Sequence, residues 1–426
     1  MSQSVDLQPR SLWRDRNFLT MWGGQALSQF GEQISLLGVP VLAVVLLHSS
    51  AFEVGVLNAS GLAAFLLIGL PAGAWIDRMR KRHVMIAADV VRAVALASVP
   101  ILWSLGMLHI WQLYAVAFVI GVATVFFDVS YQSLTPSLVL PEQIAEANGK
   151  LEATAQVAHL TGPAIAGWLI GVFSAPFAMI TTAGTYAASF VALSFTRDRE
   201  QLRPAHEHGR LLHEIGEGLR WVFGSPALRR IVGTTGASNL FNTISVTILP
   251  LFLLRELGMT PQAMGLLLSL GAVGGLLGAI ATPHLTRWVG EGPAIPLSAL
   301  AFCVVGVLLP VAAMVPQIAF PLLVVAEFVM SFFVLVYNIT QVTFRQRITP
   351  PRLLGRMNAS IRFVVWGVMP IASLAAGALA TWLGIVPTMW IGALGQLASA
   401  VFVVTGPFWA MRSLPTGTEA PAPDAT

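Results

Sequence analysis

Twelve apolar stretches run through this 426-residue chain, and its basic residues fall almost entirely on one side of them. Hydrophobic residues make up 56% of the sequence, charged residues only 10%, and the mean hydropathy is +0.75. A soluble protein of this length could not bury so much apolar surface, and its exterior would be short of polar groups. The solvent that fits is a lipid bilayer. A helix needs about 20 apolar residues to cross the hydrocarbon. The candidate spans run Asn17–Leu47, Val54–Ile76, Val84–Leu105, Ile110–Leu134, Gly149–Phe173 and Pro176–Phe195. They resume at Leu228–Leu254, Pro261–Leu285, Ala294–Val315, Ala319–Phe344, Met357–Leu383 and Val386–Met411. Barrel strands are shorter, alternating and less hydrophobic, so the expected fold is an all-α membrane protein with twelve transmembrane helices.

The basic residues orient these spans. Arg10, Arg14 and Arg16 precede the first, and Arg78, Arg80, Lys81 and Arg82 separate the second from the third. Seven arginines from Arg197 to Arg230 lie between the sixth and seventh, and Arg345, Arg347, Arg352 and Arg356 between the tenth and eleventh. Only Arg255 belongs to the opposite side. The positive-inside rule then puts both termini in the cytosol, with the chain crossing the cell membrane many times. The net charge of +4 follows from these loops and reports orientation, not nucleic-acid binding. The first apolar stretch is long and is followed by eleven more, so it reads as a span and not as a cleaved signal peptide. Cys303 is the single cysteine, which excludes an intrachain disulfide and a cysteine-based metal site.

The polar stretch Thr196–Ser225 divides the chain into two six-span halves that echo one another. Thr135-Pro136 and Asn148 flank the start of the fifth span, and Thr349-Pro350 and Asn358 that of the eleventh. Pro163 and Pro370 are expected to interrupt those two helices, and Ser28-Gln29 in the first span has a counterpart in Ser238-Asn239 in the seventh. The expected organisation is an N-terminal half over 1–196, a cytosolic linker over 197–227, a C-terminal half over 228–411 and a disordered tail over 412–426. A parallel repeat of six and six spans is a layout of secondary transporters, with a site between the halves near the midplane. In the linker, Leu211, Leu212, Ile215, Leu219, Val222 and Phe223 recur at helical spacing. They fit an amphipathic helix on the inner membrane surface, with a solvated linker helix as the alternative.

Between spans two and three the chain reads Gly73-Ala-Trp-Ile-Asp77-Arg78-Met-Arg80-Lys81-Arg82. This resembles the signature loop of the major facilitator superfamily, with Arg80 in place of one usual glycine. Asp89-Val-Val-Arg92, the segment from Thr135-Pro136 to Asn148 and Glu217-Gly-Leu-Arg220-Trp are similar to a branch that includes macrolide-efflux proteins and enterobactin exporters. Gly162-Pro163-Ala-Ile-Ala-Gly167 in span five resembles the antiporter motif of the exporters. The resemblance implies export of a small molecule, with a cytosolic gate built from Asp77, Arg78, Lys81 and the span-four acid Asp128. It does not extend to the span-four arginine of many proton-coupled exporters, since Ala117 and Phe118 stand there.

Charge inside the membrane costs a few kcal/mol or more, so each acid there is a functional candidate. Glu32 lies halfway along span one and Glu327 a third of the way into span ten. In a water-filled cavity either could take up a proton on one side and release it on the other; the alternative is a hydrogen-bonded structural carboxyl. Asp89 and Arg92 are three apart on a helix and can neutralise each other. His159, close to Gly162-Pro163, reads as a packed, hydrogen-bonded histidine. Gln25, Gln29, Asn239 and Asn242 bring amides into spans one and seven as candidate cavity groups, and interhelical hydrogen bonds explain them equally well. Trp22 and Trp366 offer aromatic surface to a ligand.

The chain has no P-loop, no H-E-x-x-H and no G-x-S-x-G, so neither ATP hydrolysis nor these catalytic constellations are expected. Energy for uphill transport would come from an ion gradient. The expected function is export of small amphipathic compounds, drugs or metabolites, by proton antiport, with a dedicated siderophore or natural-product exporter as the alternative. Import or uniport fits the antiporter motif less well. The expected partners are a small-molecule substrate, protons and the lipid bilayer, with no cofactor, no metal and no nucleic acid, and the protein is expected to act as a monomer.

Overall fold

A backbone in hydrocarbon has no water to bond, so each crossing segment must satisfy its own amides and carbonyls. The computed structural model describes residues 12–76, 79–197, 211–350 and 353–411, and their regular structure is entirely helical. The first six long helices are α1 (Arg16–Val41), α2 (Ala51–Ile76), α3 (Lys81–Ser104), α4 (Ile110–Leu138), α5 (Ile144–Val172) and α6 (Ala175–Ser194). α7 (Leu211–Gly224) follows, and then α8 (Pro226–Leu251), α9 (Pro261–Val289) and α10 (Glu291–Gly306), which continues as the short α11 (Leu308–Val311). α12 (Ala319–Ile348), α13 (Leu354–Gly367), α14 (Met369–Leu383), α15 (Ile385–Ser399) and the short α16 (Val401–Val404) complete the chain.

Among the described residues, eleven helical segments are long and apolar enough to span a bilayer. The remaining expected span is α5. It is 29 residues long, but Glu146, Lys150 and Glu152 crowd its first half and confine its apolar stretch to the second. Pro163 lies inside an unbroken α5 and does not interrupt it. Pro370 instead stands in the first turn of α14, just after a break between α13 and α14 at Val368. A first-turn proline sacrifices no helical hydrogen bond, whereas an interior one removes a single bond.

The two halves share one register. The helix starts Arg16 and Pro226, Ala51 and Pro261, Lys81 and Glu291, Ile144 and Leu354, and Ala175 and Ile385 are each 210 residues apart. The π-helical turns that close α1 and α8, Leu42–Leu46 and Phe252–Glu256, keep the same interval. So do the caps that follow. Ser50 exchanges hydrogen bonds with Glu53 at the start of α2, and Thr260 accepts from the Ala263 amide at the start of α9. In this register Ser28-Gln29 does match Ser238-Asn239, and Asn148 matches Asn358. The two Thr-Pro pairs and the Pro163/Pro370 pair are out of step by several residues.

The chain divides into two compact units. One comprises Met1–Leu42 with Ser60–His206, and the other Ala43–Ala59 with Glu207–Thr426. In the first, α1 packs on α5 and α6, and α3 on α4 and α6. The second repeats this with α8 on α14 and α15, and α10 on α12 and α15. Small residues bring backbones together. A Cβ on Gly274 or Gly278 would strike the Phe328 or Phe332 carbonyl of α12. The first turns of α2 lie against α14 in the same way, with Gly55 over Gly377, and Asn58 donates to Thr247 at 2.7 Å and to Ser373 at 3.0 Å. α7 packs on α8 and α13, with Val222 in the core and an ion pair between Glu217 and Arg356.

Candidate functional site

Trp22, Gln25, Gln29 and Glu32 are spaced three or four apart, so they form one stripe along α1. The stripe is not uniform. Trp22 donates from its indole to Thr154 of α5 at 2.9 Å, and its ring meets Trp13 at 5.2 Å and Phe18 at 6.2 Å. That fixes it in an aromatic cluster on which Lys150 also sits, 3.8 Å above Trp13. Gln25 is buried, and its Oε1 has no partner among the described residues. Gln29 and Glu32 are half-buried.

The antiporter-like motif serves this helix. Gly162, Pro163 and Gly167 are all buried on α5. A Cβ on Gly162 would run into the Gln33 side chain, so the glycine is what lets α1 approach. His159, one turn earlier, meets Gln33 Oε1 through Nδ1 at 3.0 Å; it is hydrogen-bonded as expected, but it is exposed and not packed.

Behind the stripe lies a buried charge cluster. Arg92 is 1% exposed and Asp89 0%, and they pair at 2.5 Å. Ser189 of α6 donates to the other Asp89 oxygen, also at 2.5 Å. The guanidinium sits 4.2 Å from the Phe127 ring centroid and 4.4 Å from that of Tyr186. Two aromatic faces thus hold the cation in hydrocarbon, each attractive through its ring quadrupole. Arg92 also acts electrostatically on Glu32 and Asp128, and those two carboxyls act on each other. Mutual neutralisation was legible from the spacing of Asp89 and Arg92. The ring cage was not, because Phe127 and Tyr186 come from other helices.

The second unit has a cavity of about 100 Å³ in the matching place. Its polar wall is Thr235, Ser238, Asn239, Asn242, Asn338 and Gln396, and its apolar wall is Phe302, Met330, Val334 and Tyr337. The Thr235 and Tyr337 hydroxyls bond each other at 2.9 Å, and Phe302 meets Tyr337 edge to face at 5.7 Å. Asn239 and Asn242 are therefore brought together on this wall. Asn338, Tyr337 and Gln396 join them, and the 210-residue register would have found those three as counterparts of Asp128, Phe127 and Tyr186.

Glu327 stands one turn before Met330 on α12, buried against Gly271 of α9 and without an ion pair to any described residue. Trp366 is 45% exposed on α13, with the Arg362 guanidinium 5.3 Å from its ring. Lys81 is buried at the start of α3. Asp77 and Arg78 lie outside the described residues.

The sequence profile of the Major Facilitator Superfamily matches residues 21–373. The chain belongs to this superfamily. It is 27% identical over 392 residues to the multidrug efflux pump Tap of Mycolicibacterium fortuitum, covering 88% of this chain and 91% of that one. It is 23% identical over 389 residues to macrolide efflux protein A of Streptococcus pyogenes, covering 91% and 94%. Among solved structures it resembles a bacterial homologue of the iron transporter ferroportin, with a TM-score of 0.72 at 18% identity over 93% of this chain and 99% of that one. It also resembles the POT family transporter PepTSo, with a TM-score of 0.71 at 12% identity over 92% and 97%. As a superfamily member, this chain is a multi-pass membrane transporter with the major facilitator fold.

Proposed function

We propose that this transporter exports small amphipathic compounds from the cytosol by proton antiport, with the halves 1–196 and 228–411 alternating access to a central path. The excess of Lys and Arg in the loops supports cytosolic termini, and the efflux roles in the names of the Tap and macrolide relatives support export. The antiporter-like Gly162, Pro163 and Gly167 point the same way.

What supports proton coupling is a pair of membrane-embedded carboxyls, Glu32 on α1 and Asp128 on α4, in the unit that also buries the cation Arg92. A second ionised carboxylate in low dielectric is costly, and a bound proton removes that cost. Entry of a proton from outside and its release to the cytosol then gives the pair two charge states, one for each facing. Glu327 is a second candidate carrier. Asp77, Arg78 and Lys81 of the signature loop serve as the cytosolic gate.

The test is transport of a macrolide in inverted membrane vesicles. Acidifying the lumen should drive uptake of the macrolide from the medium, and collapsing the gradient should stop accumulation. Glu32→Gln should lose uphill accumulation and keep gradient-independent exchange. Full uphill transport in that variant would remove Glu32 as the obligatory carrier, and accumulation indifferent to the gradient would remove antiport altogether.

A further inference from the structure

The second unit's cavity is the uncharged copy of the first unit's charge cluster. With the 210-residue register, Glu32 corresponds to Asn242, Arg92 to Phe302, Asp128 to Asn338 and Asp89 to Ala299. Every ionised group of the cluster is thus replaced by an amide or an apolar side chain, while the surrounding helices pack alike. Where Arg92 fills the space between two rings, the second unit keeps an opening of about 100 Å³. That is several times the roughly 10–15 Å³ that a single water needs on this measure.

Four primary amides face this opening: Asn239, Asn242, Asn338 and Gln396. None of their side chains bonds another described residue, so each can offer two N–H donors and a carbonyl acceptor to a guest. Among the described residues no carboxylate lines the opening, and a cation entering it would meet no counter-charge from them. Glu327, the acid on the same helix, is packed towards Gly271 of α9. We infer that this cavity is a binding site for the uncharged, hydroxyl- or amide-bearing part of an exported compound. It leaves ionic chemistry to groups outside this cavity. A wall that carries both donors and acceptors beside an aromatic pair selects guests that are both hydrogen-bonding and amphipathic. The inference deepens the export reading and rests on it for the word exported.

The full chain in lipid nanodiscs, at equilibrium and without a gradient, provides the test. The probes are radiolabelled chloramphenicol, which is uncharged and carries two hydroxyls and an amide, and its deacylated amine, which is a cation. Dialysis should show saturable chloramphenicol binding at least tenfold tighter than that of the amine. The double variant Asn242→Asp with Asn338→Asp, which restores acids where the first unit has them, should invert the preference. Gln396→Leu and Asn239→Leu, on different helices, should each weaken chloramphenicol about three- to tenfold, so that misfolding of one leaves the other. Absence of chloramphenicol binding, equal binding of the amine, or an unchanged preference in the double variant would overturn the inference. Each of those failures is separate from failure of proton-driven transport in vesicles, which would leave the equilibrium preference standing.

Discussion

The two units are built alike and furnished differently. Both wrap their first helix against their fifth and sixth and their third against their fourth and sixth. Yet the matching place holds Glu32, Asp89, Arg92 and Asp128 in one unit and amides, hydroxyls and two aromatic rings in the other, whose buried charges Glu327 and Arg345 lie elsewhere on α12. Helix packing in lipid depends on small residues and shape, so it tolerates exchange of the polar groups that line an interior. Duplication can therefore keep the scaffold while the matching places take separate tasks: a charge cluster in one, an uncharged cavity in the other.

The largest effect should come from the signature loop, which only the first half retains. In the shared register Asp77 corresponds to Arg287. Asp77→Asn should abolish most transport with expression and probe binding nearly unchanged, whereas Arg287→Gln should leave transport within about twofold. Normal turnover in Asp77→Asn would dissolve this asymmetry. Next is the charge cluster. Arg92→Met leaves Asp89 buried without its partner, which costs about 3–5 kcal/mol. Asp89→Asn added to it should restore much of the loss. Phe302→Leu, at the counterpart position, should cost about 1 kcal/mol. Thermal unfolding in detergent separates the two, and equal losses would mean that Arg92 is held by packing alone.

A third contrast concerns coupling. Glu32→Gln should reduce the uphill accumulation ratio tenfold or more and spare exchange. Asn242→Gln should do the reverse, weakening substrate binding while the dependence on the proton gradient persists. Loss of coupling in both variants would place the coupling group in both units.

These contrasts also mark what could be read before the fold was known. The spans were legible because apolar length is a local property, and so was the Asp89–Arg92 pair, which lies within one helical turn. α5 was legible only in part, since charged residues occupy half of it. The duplication could be seen in Ser28-Gln29 and Ser238-Asn239, but prolines misled. Pro163 is tolerated inside a helix and Pro370 begins one, so equal residues did not mean equal positions. The cage around Arg92 and the cavity lined by Asn338 and Gln396 join residues some 35 to 160 apart in sequence, so no local spacing announces them, and only the 210-residue register links one to the other.

The smallest expected effect tests whether the motif in α5 is a matter of packing. A Cβ on Gly162 would meet Cβ and Cγ of Gln33, atoms too near the backbone to swing away. Gly162→Ala should therefore push α1 and α5 apart and cost about 1–3 kcal/mol. Gln33→Ala in the same chain should recover most of it. At the counterpart position the second unit already carries Ala372, buried at 2% exposure, and Thr243 stands at the counterpart of Gln33. Ala372→Gly should cost only about 0.5–1 kcal/mol, the ordinary penalty of glycine in a helix. If Gly162→Ala is instead neutral in stability but abolishes transport, the glycine is needed for motion between α1 and α5 and not for their closeness at rest. Melting temperature and transport, measured on the same preparations, distinguish the two.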